Sequence, residues 1–157
     1  MTDIMALPTA LDPRLKEIIR DAYTSTLQEI GEYEYVYIEN KIDSKLGVVA
    51  HSSISWLIRL SKYYSVLYQI LRRNHPTTST ISASSVRAIA AALFYFINPY
   101  DIISDLTPET GYVDDYYIFV LCLESLEPPD KERIMEQLLD FREEEGFAEQ
   151  ESAKGLV

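Results

Sequence analysis

Four aspartates lie within one short stretch and could do chemistry: Asp101, Asp105, Asp114 and Asp115. Carboxylate oxygens bind hard divalent cations, and paired carboxylates can act as general acid and base. Each of these acids also has a structural explanation. Asp101 can bond back to a capping Asn98-Pro99 pair, and Asp114 and Asp115 fall in the first turn of a predicted helix, where negative charge is favourable. Helix capping is the simpler interpretation, and a metal or acid–base site is the alternative.

The other reactive side chains form no catalytic pattern. The two histidines, His51 and His75, are about 24 positions apart, which is not a zinc-ligand spacing. Ser52 and Ser53 beside His51 lack the glycine-flanked elbow of a serine nucleophile. Cys122, the single cysteine, lies in an apolar segment and is predicted to be a buried, inert thiol. Because the five glycines are scattered, no phosphate-binding loop is present, and we predict a protein without catalysis or cofactor.

The aspartates belong to a longer motif segment, residues 95–115, with the sequence YFINPYDIISDLTPETGYVDD. This segment resembles the YkvA-like family of small bacterial and archaeal domains of unknown function, over about residues 83–125. The matching positions are Tyr95, Pro99, Asp101, Ile103, Asp105, Pro108, Gly111, Asp114 and Asp115. Asn98 stands where the family favours serine, Ser104 where it favours proline, and the polar Glu109-Thr110 where it is usually apolar. The resemblance implies a helical hairpin, and for this family neither a membrane association nor an activity is established.

Charge is segregated along the chain, whose net charge is −11. No acid lies between Asp43 and Asp101, whereas sixteen acids against four bases follow from Asn98 onward. The basic middle and the acidic end could pair internally, or they could present one face to phosphate groups and another to a basic protein. Both interpretations stay open at this stage.

If the acidic end binds a partner, tyrosines and acids are its expected contact residues, since tyrosine is enriched at protein interfaces. The candidates are Tyr112, Tyr116, Tyr117, Glu132, Glu136, Asp140 and Glu143. The basic middle offers candidates for anionic lipid: Arg59, Lys62, Arg72 and Arg73. The same bases with Tyr63 and Tyr64 could stack on nucleic acid, but a pI near 4.6 argues against it.

Apolar residues recur at helical spacing through most of the chain, and no segment of any length shows the two-residue alternation typical of a β-strand. The first predicted helix runs from Asp12-Pro13 to about Ser44, weakened at Gly31, with Gly47 as a stop. Further helices are predicted over 50–71, over 86–97 with Ser84 or Ser85 as cap, over 113–126 and over 131–145. A loop is predicted over 74–85, Pro128-Pro129 is expected to stop the fourth helix, and Gly146 the fifth.

These elements predict an all-α, single-domain bundle of five or six helices around a central apolar hairpin. The expected division is an N-terminal extension over 1–12, a helical domain over 13–146 with the YkvA-like hairpin at 83–125, and a disordered acidic tail over 147–157. The apolar run over 88–97 is too short to span a bilayer, which needs about 20 residues.

The N-terminal sequence does not have the pattern of a secretory signal, so we expect a cytoplasmic protein, with a peripheral membrane location as the alternative. The predicted function is a non-catalytic, protein-binding regulator of the immunity, antitoxin or inhibitor type with a basic partner. The alternatives are a peripheral membrane protein and a carboxylate metal enzyme.

Overall fold

Six α-helices make up the described part of the computed structural model, which covers residues 10–74, 80–98 and 112–140. They are α1 (Pro13–Glu29), α2 (Glu32–Ala50), α3 (Ser55–Asn74), α4 (Ala83–Ile97), α5 (Val113–Ser125) and α6 (128–140). No strand occurs within these three ranges. The predicted all-α bundle is therefore confirmed.

Helix α4 is the centre of the bundle. It packs against α1, α2, α3 and α5, and α5 packs in turn against α1. The small side chains of Ala88, Ala90, Ala91 and Ala92 are almost fully buried and let neighbouring helices approach α4 closely. The predicted central pair of apolar helices is thus present as α4 and α5.

The first predicted helix is two helices. The break falls at Ile30 and Gly31, where Gly31 has extended backbone angles and donates its N–H to the Glu34 carboxylate at 3.2 Å. Burial of the Ile30 side chain holds the turn against the core. Gly47 is not a stop, because α2 continues to Ala50 and buries Val49. One glycine costs about 1 kcal/mol within a helix, which this packing offsets.

Several predicted helix ends shift by a few residues. Asp12 caps α1 as expected and accepts the Arg14 N–H at 2.8 Å. The cap of α4 is Ser82 rather than Ser84 or Ser85. Helix α3 begins at Ser55, not near residue 50, and runs to Asn74. His51 is therefore the C-cap of α2 and does not lie in the third helix, which was predicted to begin at residue 50.

Pro128-Pro129 begins α6 rather than only stopping α5, because proline fits the first helical turn, where no intrahelical N–H bond is needed. Residues 1–9, 75–79, 99–111 and 141–157 lie outside the described residues. The predictions for the tail, for the Gly146 stop and for most of the N-terminal extension fall on them.

Candidate functional site

The two described aspartates of the motif segment, Asp114 and Asp115, occupy the first turn of α5 as predicted. Both are fully buried. The Tyr95 hydroxyl donates to Oδ2 of Asp114 at 3.0 Å, and the Tyr64 hydroxyl donates to the backbone oxygen of Asp115 at 2.6 Å. The helix N-terminus favours negative charge at these positions. These contacts tie the motif acids to α3 and α4 inside the bundle.

The motif segment is described at residues 95–98 and 112–115. Asn98 follows α4 as its C-cap and donates its N–H to the Tyr95 oxygen at 3.2 Å. The other named motif positions lie outside the described residues: Pro99, Asp101, Ile103, Asp105, Pro108 and Gly111. Within the described residues, no group of three or more metal-ligating side chains occurs. A site formed by all four aspartates stays a prediction.

Tyr112, Tyr116 and Tyr117 were predicted as exposed partner contacts, and this prediction is wrong. Their exposed fractions are 8%, 2% and 6%. The Tyr116 ring lies edge-on to Trp56 of α3, and the Tyr117 hydroxyl accepts a hydrogen bond from Arg20 of α1 at 2.9 Å. Since all three side chains are buried, the tyrosines cannot serve as a docking surface.

Tyr63 and Tyr64 of α3 are also buried, which excludes them as a stacking platform for nucleic acid. The Tyr64 ring stacks on Phe96 with centroids 4.2 Å apart, and the Tyr63 ring stacks on Phe119 at 5.2 Å. Burial raises the pKa of Tyr64 well above its ordinary value, and the nearby Asp115 raises it further. The aromatic cluster positions the start of α5 against α3 and α4.

Unlike the buried tyrosines, the predicted contact acids of α6 lie on the surface. Glu132, Glu136 and Asp140 are exposed, while Ile134 and Leu138 on the opposite side are buried. Glu143 lies outside the described residues. Since the three acids recur every four positions, they follow one exposed side of α6. This acidic side is the part of the predicted partner surface that is accessible.

An aspartate that the sequence analysis did not single out fixes α6 to the bundle. Oδ2 of the buried Asp130 accepts from the Ser82 N–H at 3.0 Å, the Ser82 hydroxyl at 2.8 Å and the Ser85 hydroxyl at 2.7 Å. The Glu127 N–H donates to the Ser85 hydroxyl at 3.1 Å. The sequence shows serines before a predicted helix and an aspartate after two prolines. It does not show that they pair, because 45 positions separate Ser85 from Asp130 and no local pattern links them.

A groove with a volume of about 710 Å³ lies between the end of α5 and α6, beside the acidic side. Its apolar lining comes from Leu126, Pro128, Met135 and Leu139. Charged residues complete the lining: Glu124, Lys131, Glu132 and Glu136. The arrangement combines apolar surface with an excess of negative charge. We call it the α6 groove.

Comparison with known proteins supports the resemblance found in the motif segment. Residues 86–121 match the model of a family described as a protein of unknown function, DUF1232. The predicted family resemblance is confirmed over these residues. No curated protein and no solved structure matches the chain significantly. The DUF1232 region contains most of α4 and α5, so α1 to α3 and all the lining residues of the α6 groove lie outside it.

The four anionic-lipid candidates differ in how exposed they are. Arg72 and Arg73 are exposed near the end of α3, outside the DUF1232 region, whereas Arg59 and Lys62 are half-buried. Arg72 lines a second groove, between α2 and α3, together with Glu32 and Glu39 of α2, so the charge of that groove is mixed. No helix in the described part of the chain is long and apolar enough to cross a membrane.

The single cysteine of the chain, Cys122 of α5, is predicted to be unreactive in the folded protein. Cys122 has no exposed surface, and desolvation raises the pKa of its thiol to about 12. Because the thiolate is the reactive form, a thiol reagent at about pH 8 should modify the native protein very slowly and the denatured protein fully. A disulfide-exchange assay with and without guanidinium measures this. Native labelling as fast as that of free cysteine would contradict the burial.

Proposed function

We propose that this protein is a non-catalytic regulator that acts by binding a basic protein, as inhibitors, antitoxins and immunity proteins do. The observation that carries the proposal is the exposed acidic side of α6, with Glu132, Glu136 and Asp140 beside an apolar groove. The proposed contact surface lies outside the DUF1232 region, so it is a feature of this chain rather than of the shared motif.

The charge distribution favours such a partner. The chain carries a net charge of −11, with sixteen acids from Asn98 onward. A field of this sign raises the rate at which a basic protein encounters the surface, and opposite charges at the rim of an interface select against partners of the wrong sign. The buried tyrosines of α5 are not part of this proposal, and the acids of α6 replace them as the contact residues.

Neutralising two acids of α6 is expected to release the partner. We would purify the tagged full chain from its own cells at moderate salt, as wild type and as the Glu132→Gln, Glu136→Gln double variant. Each rim charge contributes roughly 0.5–1 kcal/mol, so the double variant should bind about five- to thirtyfold more weakly. Mass spectrometry of the co-purifying proteins, followed by titration of the purified partner, measures the loss.

The matched control is the Glu39→Gln, Asp43→Asn double variant, which removes two exposed acids at the same spacing from α2. It should retain the partner as the wild type does. If both double variants lost the same affinity for the partner, the loss would be due to net charge alone, which would contradict a contact on α6. Recovery mainly with membranes, and salt-sensitive flotation with anionic vesicles, would contradict the proposal in favour of the peripheral membrane alternative.

A further inference from the structure

We propose that the α6 groove is the docking site for a basic amphipathic helix of the partner, with apolar side chains on one face and lysine or arginine beside them. The inference rests on the proposed function and specifies the partner segment. It follows from three properties of the groove: its apolar lining, the sign of its charges, and the direction in which its lining residues run.

The apolar lining calls for apolar side chains in the ligand. Leu126 and Met135 are 6% exposed, so their accessible atoms are the outer surface of the hydrophobic core. Leu139 is half-buried and Pro128 is exposed at the other end of α6. The apolar surface open to water is therefore that of Leu139 and Pro128, over a floor formed by Leu126 and Met135, and it gains free energy when a partner covers it.

The charges beside the lining select a basic ligand. The groove lining contains three acids and one base, so carboxylates are in excess: Glu124, Glu132 and Glu136 against Lys131. All three glutamates are exposed, which lets them reach a ligand that lies in the groove. An acidic ligand would meet like charge on both sides, and like-charge contacts at an interface are unfavourable.

The direction of the groove favours a helix. Its lining residues from Pro128 to Leu139 recur every three or four positions, so they form a stripe along one side of α6. The described length of α6, residues 128–140, is about 20 Å at 1.5 Å per residue. An amphipathic helix packed along this stripe presents anchors at matching spacing, which is a common mode of peptide recognition.

The chain's own last residues are the competing occupant. Residues 141–157 contain five glutamates against one arginine and one lysine. Their charge has the same sign as the groove, which disfavours their binding there. Charge complementarity therefore points to a segment of another protein.

A peptide titration tests the inference. The full chain would be titrated with a labelled peptide of about 18 leucines and lysines, with leucine at helical spacing, and with a peptide of the same composition in scrambled order. Fluorescence anisotropy gives both dissociation constants. We expect the helical peptide to bind at least about tenfold more tightly than the scrambled one. Leu139→Ser in the full chain should remove this preference, whereas Val48→Ser, at an exposed apolar residue of α2, should retain it.

Four results would overturn the inference. Equal affinity for the two peptides would mean that the groove recognises charge alone. The proposed function would still stand in that case, provided that the Glu132→Gln, Glu136→Gln variant loses the partner. Retention of the preference in Leu139→Ser would place the site elsewhere. A tenfold rise in affinity on Phe147→Ser, Leu156→Ser in the full chain would identify the chain's own end as the occupant. No binding of either peptide would exclude a basic helical ligand, whether or not a basic partner is captured.

Discussion

Replacing Tyr64 by alanine is expected to lower the free energy of unfolding by about 3–5 kcal/mol, the range for a large aromatic side chain removed from a core. Tyr64 is completely buried. Its ring lies parallel to Phe96, at an interplanar angle of 7°, and inclined to Phe119 at a centroid distance of 5.9 Å. The substitution therefore removes contacts with both α4 and α5 and leaves a cavity between three helices. Denaturant unfolding followed by circular dichroism measures the loss.

Tyr64→Phe is the matched variant, because it keeps the ring and removes only the hydroxyl that donates to the Asp115 backbone oxygen. It should cost about 1–2 kcal/mol, the penalty for a buried acceptor that loses a hydrogen bond. If the alanine variant does not fold, the phenylalanine variant still gives a measurable value. A Tyr64→Phe variant as stable as the wild type would show that this hydrogen bond does not hold α5 against α3.

Replacing Asp130 by alanine is the second change with a large expected effect, about 2–4 kcal/mol. One carboxylate oxygen accepts three hydrogen bonds from Ser82 and Ser85, and without it the buried Ser85 hydroxyl and the half-buried Ser82 donors would lose that acceptor. Because these serines begin α4, the substitution should also loosen α6 from the bundle. Hydrogen exchange of the α6 amides, together with denaturant unfolding, measures both effects.

The contribution of Asp130 depends on pH with a definite sign. Desolvation raises the pKa of the carboxyl, but the hydrogen bonds from Ser85 and Ser82 outweigh it and hold the pKa below its ordinary value. The group therefore stabilises the folded protein above the unfolded pKa of about 3.9, and this stability is lost as the pH falls through the lower, folded value.

The matched control is Asp140→Ala, which removes an exposed acid of the same helix and should change stability by less than about 0.5 kcal/mol. The difference in stability between wild type and Asp130→Ala should shrink as the solution is acidified to below about pH 4, whereas Asp140→Ala should track the wild type. Equal stability of the two variants at neutral pH would contradict the role of the Asp130 network.

The sequence by itself determined which segments form helices and where charge accumulates. Local spacing of apolar residues placed α3, α4 and α5 to within a few positions, and Asp12-Pro13 marked the start of α1. The motif segment identified the DUF1232 region through residue types at fixed intervals. These features are local in the chain, so a periodic pattern or a capping pair carries the information.

The tertiary structure decided which sides of those helices meet water. Tyr116 and Tyr117 have residue types and charged neighbours typical of an interface, yet both are buried, Tyr116 beside Trp56 of α3 and Tyr117 beside Arg20 of α1. The pairing of Asp130 with Ser82 and Ser85, and the groove between α5 and α6, each join positions distant in sequence. Helical spacing specifies an apolar stripe but not the helix that covers it, because burial depends on how the whole set of helices packs.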